Sequence, residues 1–534
     1  MQDLSTEHAR RLDAARGEVR RTLLRSLSAI LAVLTSALLV SADMPPFSAA
    51  SEGANIHASL RGSRTGHENP TTISAQHTSL STFIPYLPTV AAYAAAGNKS
   101  VRSTLATSRT QGPTGRIFYV DRNHPQALDS NPGTEALPWK TIQKAAAVSV
   151  AGDTVLVKAG TYETSEGGFW SCPIINPANS GQPGSPITFK VYPGHMVIFD
   201  NKGNRNPTIG TCGRAPATNH IVIDGFTFTN GAHIRIQGPE PTQRIRGVIV
   251  QNNTVSGLWL SVNDNVDGIR VDNTSFTTVR NNRIYNIHNA AHSPNAAGIK
   301  LYNSDHAVVE HNEIFDVDAG IHDKQSGEFN VYRRNLIHEF ATVGILFQNG
   351  GSGNKVHGNQ VYENIIHNGE NGIGFWSASD GLITDTSVYN NTFADYTGGA
   401  THTPAHGGNS RFWNNILYRT AEITGYDFAT YDDPPVSIAL SDYNLFAMGP
   451  KILIGLYQTN RLLSSLKNWQ SYSGRDRKSL AANPLFVNPG KRDFRLSPTS
   501  PALRAGRAGG VTTGAVVNIG AYTTGTEVIG PKKP

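Results

Sequence analysis

Apolar and polar residues alternate in a short segment that recurs along the second half of the chain. The segment DGIRVDN at residues 267–273 returns as AGIKLYN at 297–303, and three further copies begin at residues 319, 343 and 371. Successive side chains of a β-strand point to opposite faces, so each copy places its Ile and the residue two positions later on one side. The pattern predicts a stack of similar strands with one apolar face.

A second motif, an Asn set between apolar residues, recurs between residues 253 and 415 at spacings of 23 to 32 residues. Irregular periods in this range are typical of a solenoid whose loops vary in length. Both motifs alternate like strands and only turns separate them, which excludes helical repeats and predicts a parallel β-helix. Equivalent Asn side chains would then hydrogen-bond along the axis. The expected ladder residues are Asn253, Asn282, Asn312, Asn335, Asn359, Asn391 and Asn415.

The domain boundaries follow from shifts in composition. Residues 116–525 are predicted to form one all-β domain with a capping helix near 138–149 at its N-terminal end, followed by short strands alone and a tail at 526–534. The Arg-rich start and the uncharged apolar run at 26–42 predict a signal peptide or a membrane anchor over residues 1–42. Residues 43–115 read as a disordered linker. We therefore expect a secreted or cell-surface protein.

Composition adds two expectations. Cys172 and Cys212 are the only cysteines, and in an exported chain an even number predicts a disulfide. The formal charge is +6, but the basic residues are scattered, which argues against nucleic-acid binding and suits an acidic polysaccharide as partner. We expect a monomer, with membrane contact only if the N-terminal segment is uncleaved.

The alternation also predicts which side chains point outward from the coil. The positions between the apolar residues would stack into one outward ribbon of the solenoid. An inward Asp323 is the exception and requires either a bulge or an internal partner, since an unpaired buried charge is costly. The outward residues are Arg270, Asp272, Lys300, Tyr302, His322, Lys324, Leu346, Gln348, Gly374 and Trp376.

Several stretches resemble the pectate lyase superfamily of right-handed parallel β-helix proteins. They are IFYVD…GDTVLVKAGTY (117–162), SDYNLF (441–446) and NPLFVNPGKRDFRLSPTSPALRAG…VNIGAY (483–522). Within that group, VDGIR (266–270) and GIKL (298–301) are similar to the calcium-binding and catalytic strands of family-nine polysaccharide lyases. The resemblance implies a right-handed β-helix and a lyase that acts on uronic-acid polymers.

The resemblance also implies roles for the ribbon residues. Lys300 matches the catalytic base, and Asp267 with Asp272 would bind calcium, although Val266 and Arg270 stand where two acidic ligands are expected. Arg270 suits a substrate carboxylate because its planar fork pairs bidentately with one. His322, Lys324, Tyr302 and Trp376 are expected to bind substrate.

A rival match and two other functions remain open. KQSGEFNVYRRN (324–335) is similar to the chondroitinase and alginate lyase family and would make Lys324 the base. A glycoside hydrolase would need two carboxyl groups across the scissile bond, and the ribbon offers only Asp267 and Asp272 on one coil. A non-catalytic wall or adhesion protein would bind polysaccharide through Tyr302 and Trp376. The histidines His288, His292, His402 and His406 lie in variable loops, where surface or packing roles are expected.

Overall fold

A computed structural model describes residues 115–163, 171–212, 218–351, 353–378, 380–447, 452–507 and 517–532. The predicted signal segment (1–42) and all but the last residue of the predicted linker (43–115) lie outside the described residues. Among the helices that are described, none is long and apolar enough to span a membrane.

The described strands wind into a parallel β-helix whose coils place strands on three faces. The first face is a twelve-stranded sheet within the described residues, and its neighbouring strands pair in parallel. Its strands are Ile117–Val120, Thr154–Val157, Ile187–Val191, Ile221–Asp224, Ile249–Gln251, Thr278–Arg280, Val308–Glu310, Val331–Arg333, Gln360–Tyr362, Ser387–Tyr389, Ser410–Trp413 and Ile438–Asp442.

The second and third faces belong to one sheet, because three long strands bend from one face into the other. These bending strands are Glu313–Lys324, Leu336–Asn349 and Ile365–Ser377. The second face also contains Gly160–Glu163, Val197–Asp200, Thr227–Thr229, Thr254–Leu260, Arg283–Asn289, Thr392–Ala394, Ile416–Tyr418, Leu445–Ala447 and Leu480–Ala481. The third face also contains Pro207–Thr211, His233–Gln237, Val266–Asp272, Ala296–Tyr302, Gly399–His402, Phe428–Thr430, Ile454–Leu456 and the antiparallel Arg461–Leu463.

Short strands cover the bends and the C-terminal end. Strands at the turn from the third face back to the first are Ile245–Arg246, Thr274–Ser275, Gly327–Glu328, Val356–His357, Ile383–Thr384 and Gly407–Gly408. A hairpin of Phe486–Asn488 and Asp493–Leu496, joined through the 3-10 helix Pro489–Lys491, follows the last coils. These elements and the faces confirm the predicted all-β parallel β-helix.

The recurring Gly-Ile pair has a packing reason. A Cβ on Gly298 would lie 2.5 Å from Ile314 Cγ2 and 3.0 Å from the carbonyl oxygen of Gly320 on the next coil. The glycine is therefore required by close approach of two coils at this position, rather than by an unusual φ angle. The following Ile fills the interior: Ile269, Ile299 and Ile321 are all fully buried in the main core cluster.

The Asn ladder is present with one replacement, Asn364 for Asn359, and one addition, Asn444. After the first member, each ladder Asn accepts a backbone N–H from the Asn one coil earlier through Oδ1, as in Asn282 to Asn312 at 3.0 Å. Asn364 occupies the ladder position that was predicted for Asn359. Asn359 lies outside the ladder, where its side chain accepts a hydrogen bond from the backbone N–H of Asn330. The ladder consists of Asn253, Asn282, Asn312, Asn335, Asn364, Asn391, Asn415 and Asn444.

Two α-helices lie within the described residues, where the sequence predicted one. Ile142–Val148 packs Ile142, Ala145 and Ala146 on the core beside the first coil, in the predicted region. The unpredicted helix, Leu466–Ser473, is capped by the side chain of Ser465 at its start and by left-handed Gly474 at its end. Its indole at Trp469 is fully buried against the last coils, so apolar burial and two caps stabilise the short helix.

Three further contacts bear on the sequence predictions. Cys172 and Cys212 form a disulfide, with their Cα atoms 5.1 Å apart. Asp323 points inward without a bulge at its position and accepts hydrogen bonds from Tyr332 Oη at 2.7 Å and Asn330 Nδ2 at 3.1 Å. The described part of the predicted tail packs back on the coils, since the N–H of Gly530 donates to Arg334 O at 2.8 Å.

Candidate active site

The predicted ribbon exists and occupies the third face. Parallel pairing aligns Arg270 with Lys300 and Lys300 with His322, while Asp272, Tyr302 and Lys324 align in the neighbouring column. Parallel strands lie about 4.8 Å apart, so side chains 22 to 30 residues apart in sequence become neighbours. The strands therefore gather six ionisable side chains from three coils.

Lys300 is buried rather than exposed, which corrects the expectation from strand alternation. Its side chain has no accessible surface. Residues from two loops cover it: Nζ donates to Asn265 Oδ1 and to the carbonyl oxygen of Asn295, both at 2.8 Å. A third contact of 2.9 Å joins Nζ to Asp267 Oδ1. Two hydrogen bonds and one ion pair therefore surround the amine, and this arrangement favours the protonated form of Lys300.

Arg270 is held by two carboxylates of its own strand. Nη1 donates to Asp267 Oδ2 at 2.9 Å and Nε to Asp272 Oδ2 at 2.8 Å. Arg235, on the preceding coil, brings a second guanidinium within 3.8 Å of the same Asp272 oxygen. The expectation that Arg270 binds a substrate carboxylate does not fit this pairing, because two acids of the protein already occupy its fork.

Burial and neighbouring charges shift the pKa values of the side chains in this cluster. Burial lowers the pKa of Lys300 to about 8; Asp267 opposes that shift, and the cations Arg270 and Lys324 add to it. The pKa of Asp267 lies below its usual value: burial acts against this, but Lys300 and Arg270 outweigh it. Burial raises the pKa of Asp272 despite Arg270. The cluster thus contains an amine that can lose its proton in mildly alkaline solution.

His322 and Lys324 lie on the coil after Lys300. The His322 ring lies between Pro294 O at 2.8 Å and Gln348 Oε1 at 2.7 Å. Burial lowers the pKa of His322 to about 3, with Lys300 contributing, so the ring is neutral and its single N–H donates to one of these two oxygens. Lys324 is half-buried, and its Nζ lies 3.4 Å from Asn295 Oδ1, which leaves an amine near the solvent-facing edge of the cluster.

Aromatic side chains border the cluster. Trp376 aligns with Gln348 on the preceding coil, lies three coils beyond Tyr302 and is 51% exposed, as expected for a ring that contacts ligand. Tyr302 is half-buried, and the Arg270 guanidinium lies 5.5 Å from its ring centroid. This contact gives Tyr302 a packing role inside the cluster, whereas Trp376 presents a free apolar surface.

Asp267 and Asp272 do not fit the calcium site that the resemblance implies. A calcium ion takes about 6–8 oxygen ligands, which must be free to point at it. Here both oxygens of Asp267 face cations, at Lys300 and Arg270, and one oxygen of Asp272 faces Arg270. An ion between these carboxylates would meet two positive side chains at hydrogen-bond distance.

Sequence reasoning did not find three members of the cluster. Arg235 lies in HIRIQ (233–237), whose alternation is the same as in the later copies but which lacks the Gly-Ile signature. Extending the strand register by one coil would have found it. Asn265 and Asn295 lie in loops before the strands Val266–Asp272 and Ala296–Tyr302, where no periodicity predicts which way a side chain turns.

Two family models match the chain. One, described as a Pel9A-like, right handed beta helix region, matches residues 118–316, and a general right handed beta helix region matches residues 267–432. The uncharacterized protein YwoF of Bacillus subtilis (strain 168) is 27% identical over 478 residues, covering 74% of this chain and 94% of YwoF.

Solved structures with a similar fold include enzymes of two classes. Pectate lyase Pel9A is 17% identical, with a TM-score of 0.46 over 77% of this chain and 96% of that one. The GH136 lacto-N-biosidase from Eubacterium ramulus is 14% identical, with a TM-score of 0.37 over 64% of this chain and 61% of that one.

Proposed function

We propose that this chain, a right-handed parallel β-helix protein of the pectate lyase superfamily, is a secreted polysaccharide lyase that cleaves a uronic-acid polymer with Lys300 as the base. One arrangement carries the proposal: strand pairing places Lys300 next to Arg270 and one column from Lys324, and burial together with these two cations lowers the pKa of Lys300 to about 8 against the opposing effect of Asp267. An amine becomes an effective base near neutral pH only when its pKa is lowered in this way.

The proposed reaction is a β-elimination. Unprotonated Lys300 takes the proton from the carbon next to the uronate carboxylate, and the electron pair of that C–H bond forms a carbon–carbon double bond. The bond from the neighbouring carbon to the linkage oxygen breaks, and water supplies the proton for that oxygen. The negative charge that develops on the carboxylate requires a cation nearby.

We assign that cation to Lys324. Its side chain is half-buried, and within the described residues its Nζ donates one long hydrogen bond of 3.4 Å, to Asn295 Oδ1, whereas Arg270 is engaged by Asp267 and Asp272. Arg270 becomes a positioning residue that holds Asp267 beside Lys300. Substrate can reach Lys300 only after the covering residues Asn265 and Asn295 move away from it.

The decisive experiment incubates the purified protein with a panel of acidic polysaccharides and follows the ultraviolet absorbance of the unsaturated product. Lys300→Met should reduce turnover by roughly a hundredfold or more, the usual scale for loss of a general base. Lys324→Met should lower kcat as well as raise KM, because the charge that this amine stabilises grows between the bound substrate and the transition state. Lys355→Met, an exposed lysine away from the ribbon, is the matched control.

The outcomes separate the functions that the fold allows. Full activity in Lys300→Met with loss in Lys324→Met would make Lys324 the base. Cleavage without ultraviolet absorbance would indicate a glycoside hydrolase, and binding without cleavage would indicate an adhesion protein. Either of the last two results would overturn the lyase proposal.

A further inference from the structure

A second cluster of donor atoms lies at the bend between the second and third faces. His288 is the next-to-last residue of the strand Arg283–Asn289, His292 lies in the loop after it, and Asp318 lies on the bending strand of the next coil. One donor atom from each side chain lies within 4.8 Å of the other two. We propose that His288, His292 and Asp318 bind a divalent transition-metal ion of the zinc type.

The distances fit a shared ligand. Asp318 Oδ1 lies 2.8 Å from His288 Nδ1 and 2.9 Å from His292 Nδ1, so both imidazoles aim the same kind of nitrogen at one oxygen. Two imidazole nitrogens and one carboxylate oxygen are a donor set that zinc accepts, whereas calcium and magnesium prefer oxygen donors alone. Three protein ligands leave the fourth tetrahedral position to water or a substrate atom.

Hydrogen bonds from neighbouring groups orient two of the three donor side chains. His288 Nε2 lies 3.2 Å from Asp316 Oδ1, and a metal-bound imidazole commonly donates its other N–H to a carboxylate in this way. The second oxygen of Asp318 accepts the backbone N–H of Asn289 at 2.7 Å. These contacts fix both the His288 ring and the Asp318 carboxylate before any ion arrives.

Access differs among the three donors. Asp318 is fully buried, His288 is largely covered, and His292 is 60% exposed, so solvent reaches the cluster from the His292 side. The exposed indole of Trp259 lies edge-on to His292, with ring centroids 6.4 Å apart. An ion could enter from solvent on this side, next to an apolar surface that suits a sugar ring.

The proposed site would also restrain the loop that covers Lys300. That loop, residues 290–295, carries His292 near its start and presents Pro294 O to His322 and Asn295 O to Lys300. A bond from the ion to His292 would tie this loop to Asp318 on the coil below it. Any effect of the metal on cleavage rests on the proposed function, but metal binding does not.

Metal binding can be measured without substrate. The full chain, purified without a polyhistidine tag and stripped with a chelator, is equilibrated with zinc, desalted and analysed for metal content. We expect one zinc ion per chain and, with Co²⁺ in its place, visible absorption bands of a low-symmetry site. His292→Ala should weaken zinc binding by roughly tenfold or more, since it removes a ligand at an exposed position.

Two further variants make the result decisive. Asp318→Asn keeps the size of the side chain and should also weaken zinc binding, with circular dichroism confirming that the chain is folded. His406→Ala removes an exposed loop histidine outside the cluster and should bind zinc as the unmodified chain does. Absence of retained zinc, or equal binding by His292→Ala and the unmodified chain, would overturn the proposal while leaving the lyase proposal untouched.

Discussion

Replacement of Lys300 by Met tests whether its amine is buried in an ion pair. Met keeps most of the stem but removes the ammonium group, which leaves Asp267 Oδ1, Asn265 Oδ1 and Asn295 O without their donor. Each buried polar group left unsatisfied costs about 1–3 kcal/mol, and removal of one partner of a buried pair costs about 3–5 kcal/mol. Asp267 retains Arg270, and both loops can turn toward water. We therefore expect the free energy of unfolding to fall by about 2–4 kcal/mol.

A double-mutant cycle isolates the pair. Asp267→Asn removes the charge that Lys300→Met leaves uncompensated, so the double variant should be more stable than the sum of the single changes predicts by at least about 1 kcal/mol. The burial that lowers the pKa of Lys300 to about 8 also implies that the intact pair adds little net stability. The double variant should therefore approach the stability of the unmodified protein.

The assay is urea unfolding followed by circular dichroism, with free energies from linear extrapolation. Lys355→Met, on an exposed lysine, should change stability by less than about 0.5 kcal/mol. A similar small effect for Lys300→Met, with no coupling to Asp267→Asn, would show that the amine is solvated and would refute the pairing.

The pH dependence gives an independent check. The folded-state pKa of Lys300, about 8, lies below its unfolded value of about 10.4, so the unfolded chain binds more protons between these values. The stability contributed by this group therefore rises as the pH increases from about 8 to about 10.4. The difference in stability between the unmodified protein and Lys300→Met should increase over that window.

Three further changes test other parts of the molecule. Lys324→Met should shift the rising limb of the pH–rate profile to higher pH, because Lys324 helps to lower the pKa of Lys300, whereas Lys355→Met should leave the profile unchanged. Asp323→Asn should increase the free energy of unfolding at pH 8 by up to about 3 kcal/mol. Burial raises the pKa of Asp323 to about 6, so the stability that the protonated carboxyl group contributes is fully present below about pH 4 and is lost as the pH rises through 6. Urea unfolding at pH 4 and pH 8 measures this, and an equal effect at both would contradict it. Asn335→Ala should lower stability by about 2 kcal/mol or more, since its side chain joins three coils through buried hydrogen bonds, and an effect below about 0.5 kcal/mol would show that the ladder is replaceable.

The parts of the fold that repeat could be predicted from the sequence. Strand period 2 placed Ile299 inside the coil and Lys300 on the ribbon, and the recurrence of Gly-Ile set the register that aligns Lys300 with Arg270. The ladder Asn was misplaced on only one coil. There two candidate asparagines, Asn359 and Asn364, lie five positions apart, and both accept backbone N–H groups in columns of their own.

The surroundings of the ribbon could not be predicted in the same way. Whether Lys300 faces water depends on the loops that contain Asn265 and Asn295, whose sequences carry no period. The hydrogen bond to Asn265 forms only when two successive coils are stacked. The pairing of His288 with Asp318 has the same origin, since 30 residues separate them and a single coil step brings them together.

The covering loops also determine when Lys300 can act as a base. Two hydrogen bonds and the ion pair with Asp267 favour the ammonium form in the closed arrangement. Displacement of Asn265 and Asn295 removes both hydrogen bonds. Burial is the largest cause of the lowered pKa of Lys300, so that pKa stays low only if bound substrate replaces the loops and keeps water away from the amine. With Lys324 still nearby, a substrate that covers the amine in this way leaves its proton held less firmly at the moment when a base is needed.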